Sequence, residues 1–123
     1  MADSSNYRLG SIWTVNFDPS VATEIRKTRP ALVISDTLFN VARRKITVLP
    51  FTSIRLNDSR ISPALVVVPT SPLNGLSVDS MLVCVEPMTF DKVRLIQRVG
   101  DLEPELLQQV QHSLRHYLGL NLT

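Results

Sequence analysis

DPSVATEIRKTRPALVIS, residues 18–35, joins two strand-like runs and shows how the chain is put together. Its second half opens on Arg29-Pro30. A residue that precedes proline is pushed out of the helical region into extended backbone. ALVIS (31–35) therefore reads as a strand entered at a fixed point, with Arg29 aimed by the sheet. The connector before Pro30 is turn-rich and gathers the carboxylate of Glu24, the hydroxyls of Ser20 and Thr23 and the cations Arg26, Lys27 and Arg29. A connector needs turn formers and has no need of that density of acid, base and hydroxyl chemistry. It reads either as a solvated surface loop or as a loop that carries a phosphodiester site.

Outward from this stretch the pattern repeats. SIWTVNF (11–17) is an alternating β-branched and aromatic strand that ends at Asp18-Pro19. KITVLPFT (45–52) is a third strand, and Pro50 inside it marks an edge or a bulge. PALVVVP (63–69), SMLVCVE (80–86) and VRLIQRVG (93–100) follow, the second of these apolar enough for burial on both faces. Asp36–Arg44 is a connector with one helical turn at TLFNV, 53–62 is a polar loop, and 87–92 turns through a short helix. From Leu106 the apolar residues fall at 106, 107, 110, 114, 117 and 118, which is helical spacing. Pro104 suits a first helical turn and Gly119 a stop, so the spacing predicts an amphipathic helix over 103–118. Six strands at short spacing and one closing helix exclude a βαβ series. They predict a mainly β chain, a small bent sheet or β-barrel with a helix packed on it. Residues 1–9 are expected to be flexible and 10–120 to form a single domain.

With 123 residues, 44% apolar and 20% charged, the chain suits one packed domain and not wholesale disorder. One cysteine, Cys84, excludes an internal disulfide framework and fits a reducing cytoplasm. The N-terminal MADSSNYRLG lacks the pattern of a secretory signal, and no apolar run is long enough to span a bilayer. The expected setting is cytoplasmic, away from the membrane. Charge is uneven: nine cations face four acids over residues 8–60, and four cations face six acids from residue 61 onward. Such asymmetry attracts a polyanion, either nucleic acid or an acidic protein tail.

Glycine-rich phosphate loops are absent from the sequence. His112 and His116 share a helix face without a third ligand and read as polar-face residues, so no metal or other cofactor is expected. Cys84 reads as a small buried hydrophobe and Trp13 as core or rim packing. What remains is Glu24 and Arg29, with Thr52 and Ser53 at the end of the third strand. RNA cleavage requires little more. A base takes the proton of the 2′-hydroxyl, a cation neutralises the phosphorane, and an acid protonates the leaving 5′-oxygen. The nucleophile belongs to the substrate, which makes RNA and not DNA the target. In this scheme Glu24 is the base, Arg29 the bidentate phosphate clamp and Thr52 a hydrogen-bond donor to the same oxygens. Thr52 meets Arg29 only if their strands are neighbours.

GSIWTVNFDP (10–19), Thr23-Glu24, TRPALVIS (28–35), PFTS (50–53), Gly75-Leu76 with Asp79-Ser80, and DKVRL (91–95) resemble the MazF/PemK (Kid-like) toxins of type II toxin–antitoxin modules, in family order and separation. The resemblance implies an SH3-like barrel of the MazF/CcdB type and a homodimer. It implies sequence-selective, metal-independent cleavage of single-stranded RNA, leaving 2′,3′-cyclic phosphate and 5′-hydroxyl ends. It further implies a cognate antitoxin whose acidic tail covers the substrate groove. Catalytic roles carry over onto Arg29, Thr52 and Glu24; Thr23, Arg26, Lys27, Thr28, Ser53 and Arg55 beside them are expected to bind the substrate. Two departures stand out. The loop lacks the family's glycines, and Val83 and Val85 replace the arginine–aspartate pair of the Kid-type fifth strand. By strand alternation Glu86 is expected on the face opposite Val85. The alternatives on the same fold are a CcdB-type gyrase poison and a non-catalytic nucleic-acid-binding homologue.

Overall fold

The computed structural model describes residues 7–17, 28–53 and 64–120. Its elements run β1 (Ser11–Asn16), β2 (Thr28–Val33), α1 (Thr37–Ala42), β3 (Lys45–Ser53), β4 (Leu65–Val68), β5 (Ser80–Val83), β6 (Met88–Asp91), a 3₁₀ turn (Lys92–Arg94), β7 (Leu95–Asp101) and α2 (Pro104–Tyr117). The strands form one antiparallel sheet of seven, in the order β4-β5-β3-β2-β1-β7, with β6 also on β3. This is the mainly β architecture with a closing helix that the strand spacing predicts.

β3 organises the sheet. Its first half pairs with β6 from Lys45↔Asp91 to Val48↔Met88, and its last three residues pair with β5 from Phe51↔Leu82 to Ser53↔Ser80. Along its middle it pairs with β2. Pro50 is thus not on an edge strand, which removes the edge alternative of the sequence reading. It lies between the end of the β6 ladder and the start of the β5 ladder, where a missing N–H is tolerated.

Strand alternation sorts the core into two clusters. Ile12, Leu32, Leu49, Phe51 and Leu82 face one way, onto Val66, Val68 and Val110 of α2, with Leu106, Leu107 and Leu114 packed at the margin. Trp13, Val15, Ala31, Val33, Ile46 and Val48 face the other way, with Leu95 and the rings of Tyr7, Phe17 and Phe90. Trp13 is core, as expected: its ring stacks on Tyr7 and its Nε1 donates to Ser11 Oγ at 3.0 Å.

β6 is a strand where a turn was expected. Four residues are too few to show a period, and Met88 and Thr89 are exposed. A short helix does occur, but later than expected: the 3₁₀ turn Lys92–Arg94 takes up the first residues read as the last strand, and Asp91 caps it by accepting from the Val93 N–H at 3.1 Å. α1 extends the single turn foreseen at TLFNV to six residues and is turned inside out. Asn40 is its buried residue, while Leu38, Phe39 and Val41 are exposed. The Asn40 Nδ2 donates to Tyr7 O and Ser35 O, and its Oδ1 accepts from Ser35 Oγ, which satisfies the buried amide. α2 matches its predicted span. Gly119 (φ +71°) ends it, with its N–H on His116 O and the Leu120 N–H on Arg115 O.

Candidate active site

The β2–β3 register places the site. Its paired positions are Val33↔Val48, Leu32↔Leu49 and Ala31↔Pro50. The Ile34 N–H donates to Thr47 O at 3.0 Å, so the hydrogen-bonded rungs of this ladder fall at 34/47, 32/49 and 30/51. Pro30 has no N–H to give to the last of these. The ladder ends there and the strands part. β2 stays with β1 through Val15↔Arg29 and Asn16↔Thr28, while β3 turns to β5 through Thr52↔Met81 and Ser53↔Ser80.

A pocket of about 300 Å³ opens in this fork. Thr28, Arg29 and Pro30 line it from β2, Phe51, Thr52 and Ser53 from β3, and Leu76, Ser77, Val78 and Ser80 from the segment leading into β5. Arg29 and Thr52 hold the positions that would face each other had the ladder continued. By alternation both lie on the sheet face of Ala31 and Val48, opposite the face that packs on α2. Arg29, Thr28, Thr52 and Ser53 are all exposed. The structure therefore brings together Arg29, Thr52, Thr28 and Ser53 of the expected site. Glu24, Thr23, Arg26, Lys27 and Arg55 lie outside the described residues.

The wall at 76–80 was not singled out as binding from sequence, although Gly75-Leu76 and Asp79-Ser80 carry part of the resemblance. It is held firmly. Asn74 is fully buried and its Oδ1 accepts from the Ser71 and Leu76 N–H groups at 3.1 and 3.0 Å. Its Nδ2 donates to Pro69 O at 2.9 Å and to Glu103 Oε1 at 3.2 Å. Gly75 has φ +69°, and a Cβ there would collide with Val99 O. Asp79 accepts from the Thr70 N–H at 2.9 Å, and Ser80 Oγ donates to Val78 O at 2.9 Å. Burial alone would push the Glu103 carboxyl up. Hydrogen bonds from Ser71 Oγ (2.5 Å), from its own backbone N–H and from Asn74 more than offset this and hold it below its ordinary value.

Residues 8–118 match the family of PemK-like, MazF-like toxins of type II toxin–antitoxin systems. The chain belongs to this family. Endoribonuclease MazF9 of Mycobacterium tuberculosis is 30% identical over 118 residues, covering 92% of this chain and 97% of that protein. Among solved structures, a mycobacterial endoribonuclease in complex with its cognate antitoxin superposes with a TM-score of 0.75 at 18% identity, over 94% of this chain and 98% of that one. A MazE–MazF complex from Deinococcus radiodurans gives 0.74 at 24% identity, over 93% and 96%. These two likenesses establish the toxin fold.

Other expectations fall away from the fork. The fifth strand ends at Val83, and Cys84-Val85 is a turn, closed by the Glu86 N–H on Val83 O at 3.3 Å. Strand alternation thus does not place Glu86 opposite Val85, as the sequence reading had it, because Pro87 and this turn end the ladder first. Val83 pairs with Leu65, and neither it nor Val85 lines the pocket. Cys84 is fully buried, and its thiol is pushed up by that burial, against a hydrogen bond from Ser113. His112 and His116 stand edge to face, 4.7 Å apart, on the exposed side of α2, and no cluster of three metal-ligating side chains occurs among the described residues. No described helix is long and apolar enough to cross a membrane.

Proposed function

We propose that this toxin, a single domain over residues 10–120, cleaves single-stranded RNA in the cytoplasm at the fork between β2 and β3. The observation that carries the proposal is the juxtaposition of Arg29 and Thr52 across one exposed pocket at the end of a ladder that Pro30 interrupts. Family membership and the endoribonuclease relative supply the reaction class.

The 2′-oxygen of the substrate forms a bond to the adjacent phosphorus and the bond to the 5′-oxygen breaks. The products are a 2′,3′-cyclic phosphate and a 5′-hydroxyl. Arg29 pairs with the non-bridging oxygens, where charge grows in the phosphorane, and the Thr52 hydroxyl donates to the same oxygens. Glu24, in the 18–27 connector, takes the 2′ proton, and the leaving 5′-oxygen gains a proton from water to become the 5′-hydroxyl. Thr28 and Ser53 at the pocket, and Thr23, Arg26, Lys27 and Arg55 on the flanking connectors, hold the strand. The attacking group is the substrate's own, so the step calls for no metal. The toxin acts as a homodimer, and its cognate antitoxin silences it by laying an acidic segment over the same exposed cations; that solved neighbours are MazE–MazF complexes supports an antitoxin partner.

The test is to incubate the protein with a long single-stranded RNA in EDTA and map the ends, with Arg29→Ala alongside. Discrete cuts bearing 2′,3′-cyclic phosphates, reduced about 10²–10³-fold in the variant, are expected. Intact RNA from folded, antitoxin-free protein would refute the reading and leave a binding role on the same fold.

A further inference from the structure

The pocket is larger than its chemistry at the phosphate requires, and its two sides differ in character. Arg29 and Thr52 supply charge and hydrogen bonds on the β2–β3 side. Leu76 and Val78 supply aliphatic surface on the side that leads into β5, and Ser77, between them in the chain, also lines the pocket. Its volume of about 300 Å³ is at the lower end of that of small-molecule sites, which run roughly from 300 to 1,000 Å³. Val78 is 54% exposed although it is aliphatic and sits on the pocket rim. The backbone beneath it is pinned on both sides, by Asn74 and Gly75 before it and by Asp79 and Ser80 after it. An exposed apolar side chain on a rigid mount, beside a phosphate clamp, suits the flat face of a nucleobase.

We infer that Ser77 and Val78 form the wall that selects the base next to the scissile phosphate. The inference rests on the ribonuclease reading of the same pocket. A nucleotide whose phosphate sits between Arg29 and Thr52 turns its base toward the aliphatic wall, because Thr28, Arg29, Thr52 and Ser53 make the β2–β3 side largely polar and its Phe51 ring is buried. Val78 covers the face of that base, and Leu76, almost fully buried, supports it from below. The Ser77 hydroxyl both donates and accepts, so it meets one pattern of base-edge groups better than the others. No large aromatic ring is exposed at this wall among the pocket-lining residues, so selection works through fit and a hydrogen bond and not through indiscriminate stacking. The wall stands on the segment before β5 and the clamp on β2 and β3, so they vary independently. Changing the wall alters which bond is cut, while changing Arg29 alters whether any is cut.

The deciding experiment digests one long RNA of mixed sequence with wild type, Val78→Ala, Ser77→Ala and Ser77→Thr, maps every cut, and measures kcat/KM on short substrates that differ only in the base beside the cut. Val78 is exposed and Ser77 carries no buried contact, so the variants are expected to fold, which circular dichroism checks. Val78→Ala and Ser77→Ala are expected to lower the discrimination between the preferred base and the next best by about tenfold, with new cut sites appearing, and Ser77→Thr to restore the original pattern. A shift in preference separates this role from a structural one, which would lower all sites together. Cut maps and base preferences that coincide in all four proteins, with the wild type active, would overturn the wall and leave the ribonuclease intact. An inactive wild type would overturn both.

Discussion

Arg29 and Thr52 do different work, and conservative substitutions separate them. Arg29 offers a planar fork that meets two phosphate oxygens at once, which a lysine ammonium does not reproduce. Arg29→Lys is expected to retain binding but to lower kcat about tenfold, while Arg29→Ala loses far more. Thr52→Val keeps the shape and removes the donor. About a hundredfold loss of kcat is expected, with Thr52→Ser close to wild type. Single-turnover cleavage of one mapped site measures all four. Both side chains are exposed, so thermal unfolding should move by no more than about 0.5 kcal/mol. Arg29 was legible in the sequence because proline at position 30 fixes its backbone. Why the pocket opens beside it was not. That follows from Pro30 falling on the hydrogen-bonded rung opposite Phe51, and a rung is a property of register, which one strand's residues do not state.

At the scale of the element, the segment from Pro69 to Ser80 is a loop that behaves as part of the scaffold. Asn74 closes it on itself and, through Glu103, onto the start of α2. Asn74→Ala leaves the Leu76 N–H and Pro69 O without their partner and should cost about 1–3 kcal/mol in urea unfolding. The Glu103 carboxyl is held below its ordinary value of 4.5 in the folded chain. The unfolded chain therefore binds the proton more readily. Its contribution to stability is complete above pH 4.5 and is lost as pH falls through the lowered folded value. Glu103→Gln should be less stable than wild type at pH 7 by about 1 kcal/mol, and the gap should close on acidification below pH 4.5. A gap that persists at low pH would assign the effect to packing. The sequence marked this loop only as turn-rich. Its tie to the pocket passes through Ser53↔Ser80, a pairing of residues 27 positions apart. β6 was hidden for a related reason, since four half-exposed residues become a strand only by lying along β3. α1 was obscured because its one buried residue is its polar one.

Across the whole molecule, the uneven charge so plain in the sequence does not become one patch. Among the described residues, Arg29 stands at the fork, while Arg43, Arg44 and Lys45 stand where β3 begins. Seven residues of strand separate Lys45 from Thr52, about 23 Å at roughly 3.3 Å each. Arg44 also lies 3.7 Å from Asp91, which offsets part of its field. An RNA held at the fork is therefore bound by the cations near Arg29, and the cluster at 43–45 adds to its affinity only if the strand is laid along the length of β3. The sheet's second core cluster occupies that face between the two ends, and the described cations at its aromatic margin, Lys92 and Arg94, lie over the Tyr7 and Phe90 rings. Binding of a 2′-O-methyl RNA, which lacks the attacking hydroxyl, tests this against salt. Each phosphate neutralised adds about 0.7 to the slope of log affinity on log salt for a single strand. Arg29→Ala should reduce that slope by about 0.7. Arg43→Gln with Arg44→Gln should leave it within about 0.3 of wild type. A fall of about 1.4 in the double variant would instead lay the RNA along β3, and would make the cluster at 43–45 a second anchor for the substrate.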